Sequence, residues 1–155
     1  MIASIITQKI GEALKARDEI RLSTLRMLSS AFNYEKIAKQ HELSQDEELV
    51  VIRKEAKKRT DAIDALRQAK GKLTQSPELI AGRILQEESE LAILKEFLPA
   101  EMGEEELIDL VESAIKETGA TQISDMGKVI GVVMSKANGK VEGRRVSVAV
   151  KQKLT

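Results

Sequence analysis

The chain has no cysteine and no tryptophan, only two prolines, and three aromatic rings, Phe32, Tyr34 and Phe97. Without cysteine there can be no disulfide, no thiolate nucleophile and no cysteine-ligated zinc or iron–sulfur centre. This fits a reducing compartment, so a cytoplasmic location is expected. A single histidine, His41, cannot supply the paired nitrogens of a usual metal site. No apolar run approaches the length of a membrane span, so no membrane partner is expected. The N-terminal stretch carries Glu12 and Asp18 and lacks a basic leader with an uninterrupted apolar stretch, so it reads as neither a secretory signal nor a transit peptide. Net charge is also lacking: 25 basic residues balance 25 acidic ones, unlike a dedicated DNA-coating protein.

What remains is Leu, Ile, Val, Ala and Met, the material of helix-on-helix packing. With Pro77 and Pro99 as the sole prolines, long helices can form between them. Apolar residues recur at helical spacing along Ile2, Ile5, Ile6, Ile10, Ala13 and Leu14. They do so again along Leu22, Leu25, Leu28, Phe32 and Ile37, with Asp18 as a cap between the two helices. Ser44 with Glu47 is a capping box opening a third helix, which should run to about Ala69 with Gly71 as its stop. Its seam is Leu49, Ile52, Ala56, Ile63 and Leu66, interrupted by Arg59, a charge that requires a carboxylate or a route to water. Ser76-Pro77-Glu78 starts a fourth helix that must end near Pro99.

Beyond Pro99, three helices are expected. Glu104, Glu105 and Glu106 open one that ends at Gly119. Ser124 or Asp125 caps the next, from Met126 to Ala137, and Asn138-Gly139 forms its exit. The last starts near Gly143 and carries Val146, Ala149, Val150 and Leu154. No segment alternates as a strand does. The expectation is an all-α chain with an N-terminal helical bundle over 1–98 and a small three-helix domain over 99–155.

The catalytic inventory is poor. There is no Walker-type glycine loop and no nucleophile elbow. His41 reads as a solvated loop residue. The clusters at Asp46-Glu47-Glu48, Glu87-Glu88-Glu90 and Glu104-Glu105-Glu106 read as helix caps and solvated faces. No catalytic residue, metal or cofactor is expected.

Charge is distributed more tellingly. From Pro99 to Asp125 there is one basic residue, Lys116, against eight acidic ones. From Met126 to Thr155 there are seven basic residues against one acidic, Glu142. Lys128, Lys136, Lys140, Arg144 and Arg145 in this basic half are candidate phosphate contacts, punctuated by Gly127, Gly131, Gly139 and Gly143. Arg53, Lys54, Lys57 and Lys58 form a secondary basic stripe on the third helix. Internal pairing between the acidic and basic halves explains the charge swing as well as nucleic-acid binding does.

The stretch from Asp125 to Arg144, with Met126-Gly127-Lys128-Val129, Gly131, Met134 and the Gly139-Lys140 to Gly143 turn, resembles the C-terminal signature of the GatB/YqeY domain family. Arg21-Leu-Ser-Thr-Leu-Arg-Met-Leu28, Arg53-Lys-Glu-Ala-Lys-Lys-Arg59 and Glu90-Leu-Ala-Ile-Leu-Lys-Glu-Phe-Leu-Pro99 look like stand-alone members of the YqeY type. Gly103, where a serine cap is usual, and the stretch 72–82 depart from the pattern. The resemblance implies a two-part helical fold and kinship with the non-catalytic tail that helps tRNA-dependent amidotransferases engage the tRNA body. It thus implies tRNA or another structured RNA as a partner, or else a protein partner in aminoacyl-tRNA metabolism. A carbon–nitrogen ligase label with glutamine as amide donor would be inherited from that tail's parent enzyme.

Overall fold

The computed structural model describes residues 1–69 and 76–155 and is all-α, with no strand among the described residues. The order is α1 (Ile2–Ala16), α2 (Glu19–Lys39), α3 (Gln45–Ala69), α4 (Pro77–Lys95), α5 (Glu104–Thr118), a 3₁₀ turn (Ile123–Asp125), α6 (Met126–Ala137) and α7 (Gly143–Leu154). The chain divides into two compact units, Met1–Leu98 and Pro99–Thr155. The expected stop of α3 at Gly71 lies outside the described residues.

In the N-terminal unit α2 packs against α1, α3 and α4, while α3 and α4 lie along each other. The core is built from Ile6, Leu25, Leu28, Phe32, Ile52, Ala56 and Leu94. Each wholly buried Leu or Ile contributes about 1.5–3 kcal/mol relative to exposure. Helix starts follow the local chemistry. The Asp18 side chain accepts the Arg21 amide, Ser76 accepts that of Leu79 with proline next to it, and Ser44 and Glu47 bond each other's amides reciprocally. The start of α1 has no such residue, and Glu48 of α3, completely buried, supplies its cap from outside.

Three expected core residues lie outside the core: Ile5 is 48%, Leu14 56% and Ile37 72% exposed. Among the helices, α1 contacts chiefly α2, so its buried stripe is narrow. Ile37 is five residues past Phe32, a rotation of about 140° away from the core.

Arg59 is resolved as an internal ion pair. Its Nε lies 2.6 Å from Glu90 Oε2 and 3.6 Å from Glu87 Oε2, with the N–H aligned on neither oxygen, and Nη2 approaches Met27 Sδ at 3.4 Å. Glu88 pairs with Arg67 at 2.9 Å. Glu87 and Glu90 are therefore counter-charges, with Glu90 only 7% exposed, while Glu88 stays on the solvated face.

In the C-terminal unit α5, α6 and α7 pack pairwise around Leu107, Val111, Ala114, Val129, Val133, Val146 and Val150. Gly119 ends α5 in left-handed geometry, and Asn138 and Gly139 do the same for α6. The cap assigned to Ser124 or Asp125 works differently. A 3₁₀ turn precedes α6, and Asp125 points back to the Thr121 and Gln122 amides instead of forward into the helix. A four-residue Thr-Gln-Ile-Ser lead-in lets the carboxylate close its own turn first.

Candidate nucleic-acid interface

The basic candidates stand on α6, α7 and the turn between them. Helix α6 turns Val129, Val133 and Ala137 to the core. Gly127, Lys128, Gly131 and Ser135 therefore share the opposite face, and all four are exposed. A Cβ added at Gly127 or Gly131 would meet nothing within 4 Å. Gly131, in the helix interior, costs about 0.8–1 kcal/mol relative to alanine, and packing within the chain gives no reason for either glycine. Their face forms one wall of an open groove of about 460 Å³, bordered across it by Glu117 and Thr118 of α5, with Lys128 and Lys136 on α6.

The candidates divide by what holds them. Lys136 is paired with Glu117, and both are exposed. Arg145 is more firmly placed: Nη1 donates to the Met102 carbonyl at 3.1 Å and Nη2 to Glu104 at 3.0 Å, with Glu101 at 3.8 Å. Lys153, a basic residue outside the candidate set, donates to Glu112 at 2.6 Å and holds that carboxyl below its ordinary value. Three basic residues of the C-terminal half thus answer three glutamates of α5. Lys128, Lys140 and Arg144 are exposed, as is Lys151. The Lys140 backbone carbonyl accepts the Met102 amide at 2.6 Å, which fixes the α6–α7 turn and leaves its side chain outward.

The stripe on α3 is largely neutralised at home. Lys57 pairs with Asp61 at 2.8 Å and Lys58 with Glu55 at 2.6 Å. Arg53 is half-buried, with an Nε that finds no hydrogen bond, and only Lys54 is both exposed and without an ion pair. His41 is exposed in the α2–α3 link, its Nδ1 2.7 Å from the Glu42 carbonyl and its Nε2 3.6 Å from Glu47. Among the described residues no group of three or more His, Asp or Glu is placed to hold a metal ion, and no helix is long and apolar enough to cross a membrane.

A helical protein of two small units, the second with a glycine-faced basic helix, is what fold and site together define. The model of one family, the Yqey-like protein family, matches residues 3–154, so the chain belongs to it. No curated protein matches the chain.

Proposed function

We propose that the C-terminal unit binds structured RNA of the tRNA class through the glycine face of α6, as a non-catalytic accessory of aminoacyl-tRNA metabolism. The observation that carries this reading is the pair of solvent-facing glycines, Gly127 and Gly131, beside Lys128. Missing side chains let a phosphodiester backbone come close to the helix, and lysine supplies the charge. Lys128 and Lys140 make the first phosphate contacts, and Arg144 joins them from the start of α7. Lys136 and Arg145 join by exchanging a glutamate for a phosphate, a small cost for exposed Lys136 because surface pairs contribute only about 0–1 kcal/mol. The family resemblance to a tRNA-engaging tail points the same way, and the amide-transfer label is not carried over.

The test is binding of purified, labelled tRNA by the full chain. Lys128→Ala with Lys140→Ala should weaken binding at least tenfold and leave the melting temperature unchanged. Absence of binding, or binding indifferent to these lysines, overturns the proposal. Glutamine-dependent turnover by the purified chain overturns its non-catalytic part.

A further inference from the structure

Helix α2 carries a second apolar seam on the side away from the core. Ile20, Met27, Tyr34 and Ile37 are 43%, 44%, 75% and 72% exposed, and Ser23 and Ser30 between them are exposed as well. Ile20, Ser23, Met27, Ser30, Tyr34 and Ile37 fall at alternating spacings of three and four, a heptad seam whose six residues are all exposed. Met27 has the Arg59 guanidinium beside it.

The order of large and small residues in this seam is self-complementary under a two-fold axis between residues 28 and 29. In an antiparallel pairing, Ile20 of one copy meets Ile37 of the other, Ser23 meets Tyr34, and Met27 meets Ser30. Each large central side chain then faces a serine, as knobs require holes. The flanks agree in charge. On the exposed flank Arg26 falls opposite Asn33, so no like charges meet there. A parallel pairing would instead stack Tyr34 on Tyr34 and Met27 on Met27, with serine against serine.

We propose that two copies of this chain associate through α2, antiparallel, in this register. The contact runs along about 27 Å of helix and buries roughly 1,000 Å², at the lower bound of specific interfaces, so the dimer is a weak one that forms and dissociates with concentration. An isologous interface of this kind closes on itself and goes no further than two.

The experiment is sedimentation velocity of the full chain over a concentration series, with wild type, Tyr34→Glu, Ile37→Glu and the double variant. Wild type should shift from monomer to dimer as concentration rises, and the double variant should stay monomeric with the same circular-dichroism melting curve. The register has its own readout, since the chain has no native cysteine. Under oxidation, a mixture of Ser23→Cys chains and Tyr34→Cys chains should give the mixed disulfide dimer, and Ser23→Cys chains alone should not cross-link. A wild type that stays monomeric at every concentration overturns the proposal. So does a dimer that survives Tyr34→Glu/Ile37→Glu, or homodimeric cross-linking by Ser23→Cys alone.

Discussion

The carboxylate of Glu48 closes the helix that begins at Ile2: one oxygen accepts the Ile2 amide at 2.7 Å and the other the Ala3 amide at 3.1 Å. The two partners are 46 residues apart, and Glu48 is wholly buried. A buried carboxylate is costly unless hydrogen-bonded, and the first turn of a helix offers unsatisfied amides together with the positive end of its dipole.

Glu48→Ala should therefore leave two amides and a cavity behind, costing about 2–4 kcal/mol. Glu48→Gln keeps the volume but turns an NH₂ toward one amide, for about 1–2 kcal/mol. Urea unfolding should rank wild type above Glu48→Gln and that above Glu48→Ala. Hydrogen exchange should show the first turn of α1 opening first.

Arg59 and Glu90 should behave as a coupled pair. Arg59→Met strands Glu90 and Glu87 between α3 and α4 and should cost about 2–4 kcal/mol. Adding Glu90→Met removes the more deeply buried of the two charges and should recover a large part of that loss. A double-mutant cycle in denaturant measures the coupling, and additive losses would contradict the geometry.

Acid should loosen the α2–α3 connection through Glu47. The hydrogen bond from Lys39 Nζ, then that from the Ser44 amide, lowers its carboxyl from 4.5 to about 2. Between those values the folded state binds fewer protons than the unfolded one. The stabilisation is thus complete above the ordinary value and is lost as pH falls toward 2. Melting temperatures of wild type and Glu47→Gln should differ at neutral pH and converge across that window. Glu96, lowered by Arg21, and Glu112, lowered by Lys153, add to acid sensitivity in the same direction.

Within the C-terminal unit, stability and binding should separate residue by residue. Arg145→Ala removes the donors to Met102 and Glu104 and should lower the stability of that unit by about 1–2 kcal/mol, whereas Lys128→Ala should not.

Gly131→Ala should do the opposite, raising stability by about 0.4–1 kcal/mol while weakening tRNA binding. Thermal melts and binding curves of the same samples check both.

The sequence made the helices legible because their ends carry local chemistry: Asp18, Ser44 with Glu47, Ser76 before Pro77, and Gly119 are each read within one turn of the residue they serve. Arg59 was legible as a charge that needed a partner, though which carboxylates answered it depended on how α4 lies along α3. Glu48 was hidden for a related reason. Beside Asp46 and Glu47 it looks like one more residue favouring a helix start, and the helix it caps is α1, not its own. The one hint was Met1, a helix start with no capping side chain. The basic half was legible as charge. Pairing of Lys136 and Arg145 with α5 depends on helix packing, which no charge count contains, and the open glycine face of α6 depends on which way the helix is turned.

The ion pairs joining α5 to the basic helices also set what a salt titration can measure. A cation that already holds a glutamate gains a phosphate only by giving that glutamate up. The carboxylate then collects a solvent cation just as the phosphate sheds one, and the two exchanges cancel. Among the seven basic side chains of the C-terminal half, Lys136, Arg145 and Lys153 are therefore silent in the slope of log affinity against log salt. With a contribution of about 0.7–0.9 per phosphate neutralised, the slope for tRNA should fall well below that of seven charges. A Glu104→Gln/Glu117→Gln chain should steepen it without adding a single positive charge.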